Sequence, residues 1–88
     1  LHQNYPNPFN PTTVINYDMQ NDGQTLIEIM DVRGNHVSTL INDYVQMGSR
    51  SITWDATNDY GERVPAGIYF YTLKTNNHIQ TQKMVLLK

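Results

Sequence analysis

Ile68-Tyr69-Phe70-Tyr71-Thr72-Leu73-Lys74 is the stretch that decides the fold. Its first four residues are apolar or aromatic, so an extended chain here carries bulk on both faces, the pattern of a central strand. Working outward, Thr75-Asn76-Asn77-His78 reads as a hairpin turn, because Asn tolerates the left-handed backbone that tight hairpins need. Ile79 to Leu87 is then the returning strand. On the other side, Arg50 to Asp55 alternates, with Arg50, Ile52 and Trp54 on one face and Ser51, Thr53 and Asp55 on the other. Trp54 is the only tryptophan, which makes it the candidate centre of the core. Between these strands, Ala56 to Gly67 is polar and contains Gly61, Pro65 and Gly67, a surface loop.

Further upstream the same period persists. Thr12 to Tyr17 forms a first strand with Thr13, Ile15 and Tyr17 on one face, followed by a polar turn from Asp18 to Gly23. Gln24 to Val32 places Thr25, Ile27 and Ile29 inward and Leu26, Glu28 and Met30 outward. Asp31 to Asn35 supplies turn chemistry, Gly34 being free to take positive φ. Val37 to Ile41 pairs back, and Asn42 to Gly48 reads as a looser connection. Enrichment in Asn, Thr, Tyr, Val and Ile over Ala, Glu and Lys agrees with strands joined by tight turns. About seven short strands, spaced roughly 8 to 12 residues apart, predict an all-β, immunoglobulin-like antiparallel β-sandwich without the Cys-Trp-Cys spacing of antibody domains.

The bounds are narrow. Eighty-eight residues suit one domain, 1–88, with a modest stability margin, since a chain of this size buries only about 60 to 65% of its unfolded surface. The chain starts at Leu1 without an initiator Met and ends on the strand-like Lys83 to Lys88, and it reads as an excised module running to a natural C-terminus. Net charge is -2 with a pI near 5.8, and the six Lys and Arg are scattered, so nucleic acid is not an expected partner. No apolar run approaches the roughly 20 residues of a membrane-spanning helix, and no signal peptide is present in this fragment, so any such address is expected elsewhere. Absence of Cys excludes disulfides and thiolate metal sites.

The opening Tyr5-Pro6-Asn7-Pro8-Phe9-Asn10-Pro11 holds three of the four prolines. Each fixes its own φ and pushes its predecessor toward extended or turn geometry, so neither helix nor central strand is expected in residues 1–11. Phe9 is expected to plug one end of the sandwich, while the Asn-Pro steps fix the angle at which the preceding chain approaches.

Chemistry has few candidates. His2, His36 and His78 show no i, i+4 pair and no Cys neighbour, so neither a zinc site nor any cofactor is expected. No serine lies in a Gly-x-Ser-x-Gly elbow, and no catalytic residue is assigned. The oxygen-rich Asp55-Ala56-Thr57-Asn58-Asp59-Tyr60-Gly61-Glu62 lacks EF-hand spacing, and the expected roles of Asp55, Asn58 and Asp59 are Asx-type turns rather than calcium ligation. Tyr5, Tyr44 and Tyr60 are the tyrosines expected at the surface, on three separate segments. Tyr69, Phe70 and Tyr71 are expected to pack inside the sandwich or against its outer face.

Taken together, Gln3 to Thr13 with its Tyr5-Pro6-Asn7-Pro8-Phe9-Asn10-Pro11 core, Asp31-Val32-Arg33-Gly34, Trp54-Asp55, Gly67-Ile68-Tyr69-Phe70-Tyr71 and the terminal Lys83-Met84-Val85-Leu86-Leu87-Lys88 resemble the type A C-terminal sorting domain of the type IX secretion system. The chain is similar also to the immunoglobulin-like domain of the flagellar hook-capping protein. One departure stands out: the family commonly has Gly after the Trp-Asp pair, where this chain has Ala56, and an altered local turn is the expected result. The resemblance implies a non-enzymatic domain at the end of a larger cargo, such as a secreted hydrolase or adhesin. It implies passage through the periplasm of a Gram-negative bacterium, then recognition by an outer-membrane translocon. Removal by a sortase-like peptidase cutting upstream follows, often with attachment of the cargo to surface lipopolysaccharide.

Within that frame, Ile79 to Lys88 is an edge strand whose unpaired backbone groups suit β-augmentation. Lys83, Met84, Val85, Leu86, Leu87 and Lys88 are the expected recognition residues, the two lysines guarding against promiscuous pairing and steering toward an acidic receptor. The plainer role for Met84, Val85 and Leu86 is to finish the sandwich. Two other functions fit the same composition: a structural assembly module like the hook cap, and an accessory carbohydrate-binding domain.

Overall fold

The structure, a computed structural model, describes residues 1–76 and 78–87. Six strands follow in chain order: β1 (Thr13–Met19), β2 (Gly23–Asp31), β3 (His36–Val45), β4 (Gly48–Trp54), β5 (Gly67–Lys74) and β6 (Ile79–Leu86). No helix occurs among the described residues. β1 and β4 form one antiparallel sheet, and the other runs β3-β2-β5-β6, with β5 flanked on both sides. Its aromatic run therefore sits where the apolar pattern on both faces places it, with Tyr69 and Tyr71 buried and Phe70 half-buried on the outer face.

Alternation does the sorting. On β1, Thr13, Ile15, Tyr17 and Met19 are buried while Asn16 and Asp18 are exposed, and on β2 Thr25, Ile27 and Ile29 point inward. These residues divide between two contiguous clusters, one around Phe9, Trp54, Tyr69, Tyr71 and Met84, the other around Tyr17, Met19, Ile27 and Leu73. Trp54 is wedged between two rings, 5.8 Å from Phe9 and 5.4 Å from Tyr69 centroid to centroid. Its indole N–H donates to the Thr57 carbonyl at 2.9 Å, so the one polar atom of the largest core side chain is satisfied.

Some boundaries differ from the sequence expectation. β3 runs on to Val45, because Thr25↔Asp43 and Gln24↔Tyr44 continue the ladder; strand pairing outweighs the weak β propensity of Asn42 and Asp43. β1 likewise extends to Met19, paired with Gly48. Ala56 is buried with φ of 64°, the left-handed region that a Gly would occupy without strain. The turn after Trp54-Asp55 is thus left-handed at an alanine. At the β5–β6 turn, the Thr75 N–H donates to the His78 carbonyl at 2.9 Å, and Asn77 lies outside the described residues.

Among the described residues the strand count is six rather than about seven: the six segments located in the sequence each form a strand, and none is added by the opening segment. Its three X-Pro peptide bonds are cis. Prolines remove the N–H groups that a ladder needs, so the segment makes isolated bridges instead. Tyr5 and Val14 exchange both backbone bonds at 2.9 Å, and the His2 N–H donates to the Asn16 carbonyl at 2.9 Å, all on the free side of β1. Further along, the Phe9 N–H donates to the Val85 carbonyl at 3.0 Å and the Leu87 N–H donates to the Phe9 carbonyl at 2.8 Å, a parallel bridge to β6. Residues 2–9 therefore span from one sheet to the other and close that side of the sandwich.

Buried polar groups lock the span in place. The Tyr71 hydroxyl accepts the Asn4 N–H and donates to the His2 carbonyl, both at 2.7 Å. The Asn4 amide donates to Thr13 Oγ1 at 2.9 Å and to the Pro6 carbonyl at 3.1 Å. Phe9, at 1% exposure, supplies the apolar anchor, a burial that stabilises by about 1.5 to 3 kcal/mol. Its expected role as a plug is what the core shows.

Candidate recognition surface

β6 is the edge strand of its sheet, and its register against β5 fixes which atoms a partner can reach. Tyr69↔Met84 and Gly67↔Leu86 are inward pairs, Phe70↔Lys83 and Ile68↔Val85 outward ones. Met84 (0% exposed) and Leu86 (4%) consequently belong to the core, and Lys83, Val85 and Leu87 carry the readable side chains. Lys88 lies outside the described residues.

The edge itself is only half open. Besides the two bonds to Phe9, the Val85 N–H donates to Asn7 Oδ1 at 3.0 Å and the Lys83 carbonyl accepts the Gln3 amide at 2.8 Å. From Lys83 to Leu87, four outward backbone groups are thus engaged by the opening segment. Strand addition has room along Ile79 to Lys83, where Ile79 is exposed, and not along the last residues. Gln3, Asn4, Asn7 and Tyr71 hold this cover down; strand periodicity marks Tyr71 for β5 but says nothing of its hydroxyl, and it does not mark the other three. A short Asn or Gln beside prolines is the signal for such a role, since its amide can replace the missing backbone donors.

The remaining motif residues serve geometry. Gly67 opens β5 with φ of 146°, a conformation strained for any L side chain, and no heavy atom crowds it. The Tyr69 hydroxyl donates to the Pro65 carbonyl at 2.6 Å and pins the loop before β5. Tyr5, bridged to β1 through its backbone, turns its ring to solvent. Tyr44 and Tyr60 are also exposed, but Tyr44 pairs with Gln24 near the β1–β2 turn while Tyr60 follows Asp59, which is bonded at the opposite end of β3. The three rings make no common platform.

Among the described residues, four charged groups meet around His36. His36 Nε2 lies 2.7 Å from Asp59 and Nδ1 3.1 Å from Glu28, and Glu28 also takes Lys74 at 3.2 Å. With a carboxylate at each nitrogen, the imidazole is held above its ordinary pKa, chiefly by the bond to Asp59 and secondarily by Glu28. Asp59 is held below the usual carboxylate range by the Thr39 N–H, at 2.8 Å, and by His36. This ties the 55–66 loop to β3. Asp59 therefore makes a long-range tie instead of the local Asx turn expected of it, and the Asp55 carboxylate takes the Thr57 hydroxyl rather than a backbone amide. Asn58 does form the expected turn, its Oδ1 accepting the Tyr60 and Glu62 N–H groups at 2.9 and 3.0 Å. Among the described residues, no three His, Cys, Asp or Glu side chains are grouped so as to hold a metal.

Fold and surface together define an immunoglobulin-like module that presents a shape, with an unusual proline-rich cover over its last strand. The family of secretion system C-terminal sorting domains matches residues 3–87. This chain belongs to that family: it is a sorting signal of the type IX secretion route, carried with a cargo and destined for the cell surface or the exterior. Sorting domains of this kind are in general non-catalytic. Among solved structures, it is similar to PorZ of Porphyromonas gingivalis, described as an essential surface component of the type-IX secretion system, with a TM-score of 0.67 and 17% identity over 98% of this chain. It is similar also to FlgD of P. aeruginosa (TM-score 0.66, 20% identity, 84% of this chain) and to FlgD of Xanthomonas campestris, described in hook capping (0.65, 25%, 85%). The chain spans 11% of the PorZ chain and 58% and 55% of the two FlgD chains. No curated protein matches it.

Proposed function

We propose that residues 1–88 act as a single C-terminal address domain, read in its folded form by the outer-membrane translocon of a Gram-negative bacterium after its cargo reaches the periplasm. A sortase-like peptidase then cuts upstream of the domain. The domain carries no chemistry of its own; its surface at the terminal strand is what the translocon reads. The observation that carries this reading is the family match over nearly the whole chain, joined to an edge strand that exposes Lys83 and Leu87. A rigid, proline-rich base suits the peptidase step, because it holds the preceding linker clear of the sandwich.

Fusing residues 1–88 behind a signal peptide and a passive reporter, in a type IX-competent host, should deliver the reporter to the cell surface. Deleting Lys83 to Lys88 should leave it in the periplasm. Since that deletion also removes the core residues Met84 and Leu86, a second variant, Lys83→Glu with Leu87→Ser, changes only outward positions. Normal export of both variants would refute the assignment of recognition to this strand. The similarity to FlgD favours one other reading, a structural assembly module, which stable association of the isolated domain with neighbouring copies of a filament cap would support.

A further inference from the structure

The opening segment closes one side of the sandwich, and the opposite side has no such cover. On the closed side, β1 and β6 take backbone or side-chain bonds from His2, Tyr5, Asn7 and Phe9. On the other, β3 is held near its start, where the Asp59 N–H donates to the Val37 carbonyl at 3.2 Å and Asp59 Oδ1 accepts the Thr39 N–H at 2.8 Å. β4 has only β1: among the described residues, no backbone N–H or carbonyl of residues 48–54 bonds to any other segment. Burial records the same asymmetry. Ile15 and Tyr17 on β1 and Met84 and Leu86 on β6 are 0 to 4% exposed. Across the sandwich, Ser38 and Trp54 are sealed at the end where the 55–66 loop is tied to β3. Beyond it, Leu40, Ile41 and Val45 of β3 and Ile52 of β4 pack against the core yet stay half-buried. Met47, in the turn joining the two strands, is exposed.

Open edges are normally guarded by Lys, Pro, a bulge or a charge aimed at the gap. β3 has such guards, two register shifts and Asp43, which lies opposite buried Thr25. β4 pairs with β1 in unbroken register from Gly48 to Trp54 and contains neither Lys nor Pro. Its one charge, Arg50, is folded back onto the Gln46 and Met47 carbonyls at 3.1 and 3.3 Å.

The strand that fits this edge is β4 itself. Set antiparallel to a second copy with Ser51 on the two-fold axis, all seven of its residues overlap, and no other centre achieves that. Ser49 then faces Thr53 and Ser51 faces Ser51, small hydroxyl pairs that favour adjacent strands. Arg50 faces Ile52, so no like charges are opposed, and Trp54 faces Gly48, which brings no side chain. We infer that β4 is a self-pairing edge, through which two copies of this domain join their β1–β4 sheets into one of four strands about a two-fold axis. A two-stranded sheet is marginal on its own, and pairing relieves that. The half-buried Leu40, Ile41, Val45 and Ile52 of each copy then face those of the other. Because β3 and β6 are the opposite margins of their sheet, the paired form leaves the terminal strand accessible. The inference goes beyond the sorting reading and stands without it.

Analytical ultracentrifugation of residues 1–88 tests it. The parent should dimerise with a Kd below about 1 mM. Ser51→Lys alters only an exposed side chain, sets two cations on the axis and should raise that Kd on the order of tenfold or more. Ser51→Glu should do the same, and equal parts of the two variants should associate at least as tightly as the parent. Ile79→Lys, an exposed position on β6, should dimerise like the parent, and all three variants should melt within a few degrees of it. A parent that stays monomeric, a dimer indifferent to both Ser51 variants, a Lys and Glu mixture that fails to associate, or a dimer lost in Ile79→Lys would each overturn the inference. None of these results bears on whether the domain is exported.

Discussion

Tyr71→Phe isolates the tie between the opening segment and the sheet. The ring stays in place, so no cavity of consequence forms, and only the hydroxyl is lost. That oxygen accepts the N–H of buried Asn4 and donates to the His2 carbonyl, both at 2.7 Å. Without it the Asn4 N–H loses its partner in a buried site, a desolvation cost of about 1 to 3 kcal/mol. His2 is exposed, so its carbonyl can turn to water at a smaller cost. A total of about 2 to 3 kcal/mol is expected, from a stability of roughly 4 to 13 kcal/mol for a chain of this size. Tyr69→Phe is the control: it loses one bond, to the carbonyl of exposed Pro65, and should cost about 1 kcal/mol. Urea denaturation measures both, and amide hydrogen exchange should show Asn4 and Val14 losing protection only in Tyr71→Phe. Equal costs for the two variants, or unchanged protection at Asn4, would refute the view that this hydroxyl holds the segment down.

Other consequences are directly measurable. Phe9→Ala should cost about 3 to 5 kcal/mol in chemical denaturation and strip protection from the Leu87 amide, whose acceptor is the Phe9 carbonyl. Ala56→Val places a β-branched side chain at φ of 64° in a buried site and should cost more than about 2 kcal/mol, whereas Ala56→Gly should stay within about 1 kcal/mol of the parent. For the His36 tie the signs run in opposite directions. His36 is raised above 6.5, so its stabilisation is complete below that pH and lost as pH climbs through the raised value; Asp59 is lowered below 3.8, so its share is present above 3.8 and lost as pH falls through the lowered one. His36→Ala should therefore lower the melting temperature more at about pH 5.5 than at about pH 9, and equal losses would mean that the imidazole is not clamped as a cation. Millimolar calcium should leave the melting temperature unchanged, because Asn58, Asp59 and Glu62 are committed to internal bonds; a rise of several degrees would reverse that view.

Period-two patterning made the strand faces legible: Thr25, Ile27 and Ile29 point inward as their alternation requires. The central position of β5 followed from Ile68 to Tyr71 being apolar on both faces. What the pattern hid was pairing between distant segments. Asn42 and Asp43 discourage a strand locally, and only the β2 ladder makes them one. The prolines around Phe9 correctly excluded a central strand, yet they also masked a segment that bridges both sheets through isolated bonds. Of the terminal residues, Met84 and Leu86 face the core because β5 sets their register, and the edge is partly covered because Asn7 and Phe9 return to it from the opening segment. Neither relation leaves a periodic trace in one strand.

The bond between Asn7 and Val85 joins positions 78 residues apart, so the sandwich cannot shut on that side until nearly all of its chain is present. A product cut short before Met84 leaves the Phe9 bridge unmade and the core without Met84 and Leu86. Closure is then a late event in folding, delayed by the entropy of so long a loop. The domain thereby reports its own closure: whatever grips the finished sandwich is handling a chain made at least as far as Leu87.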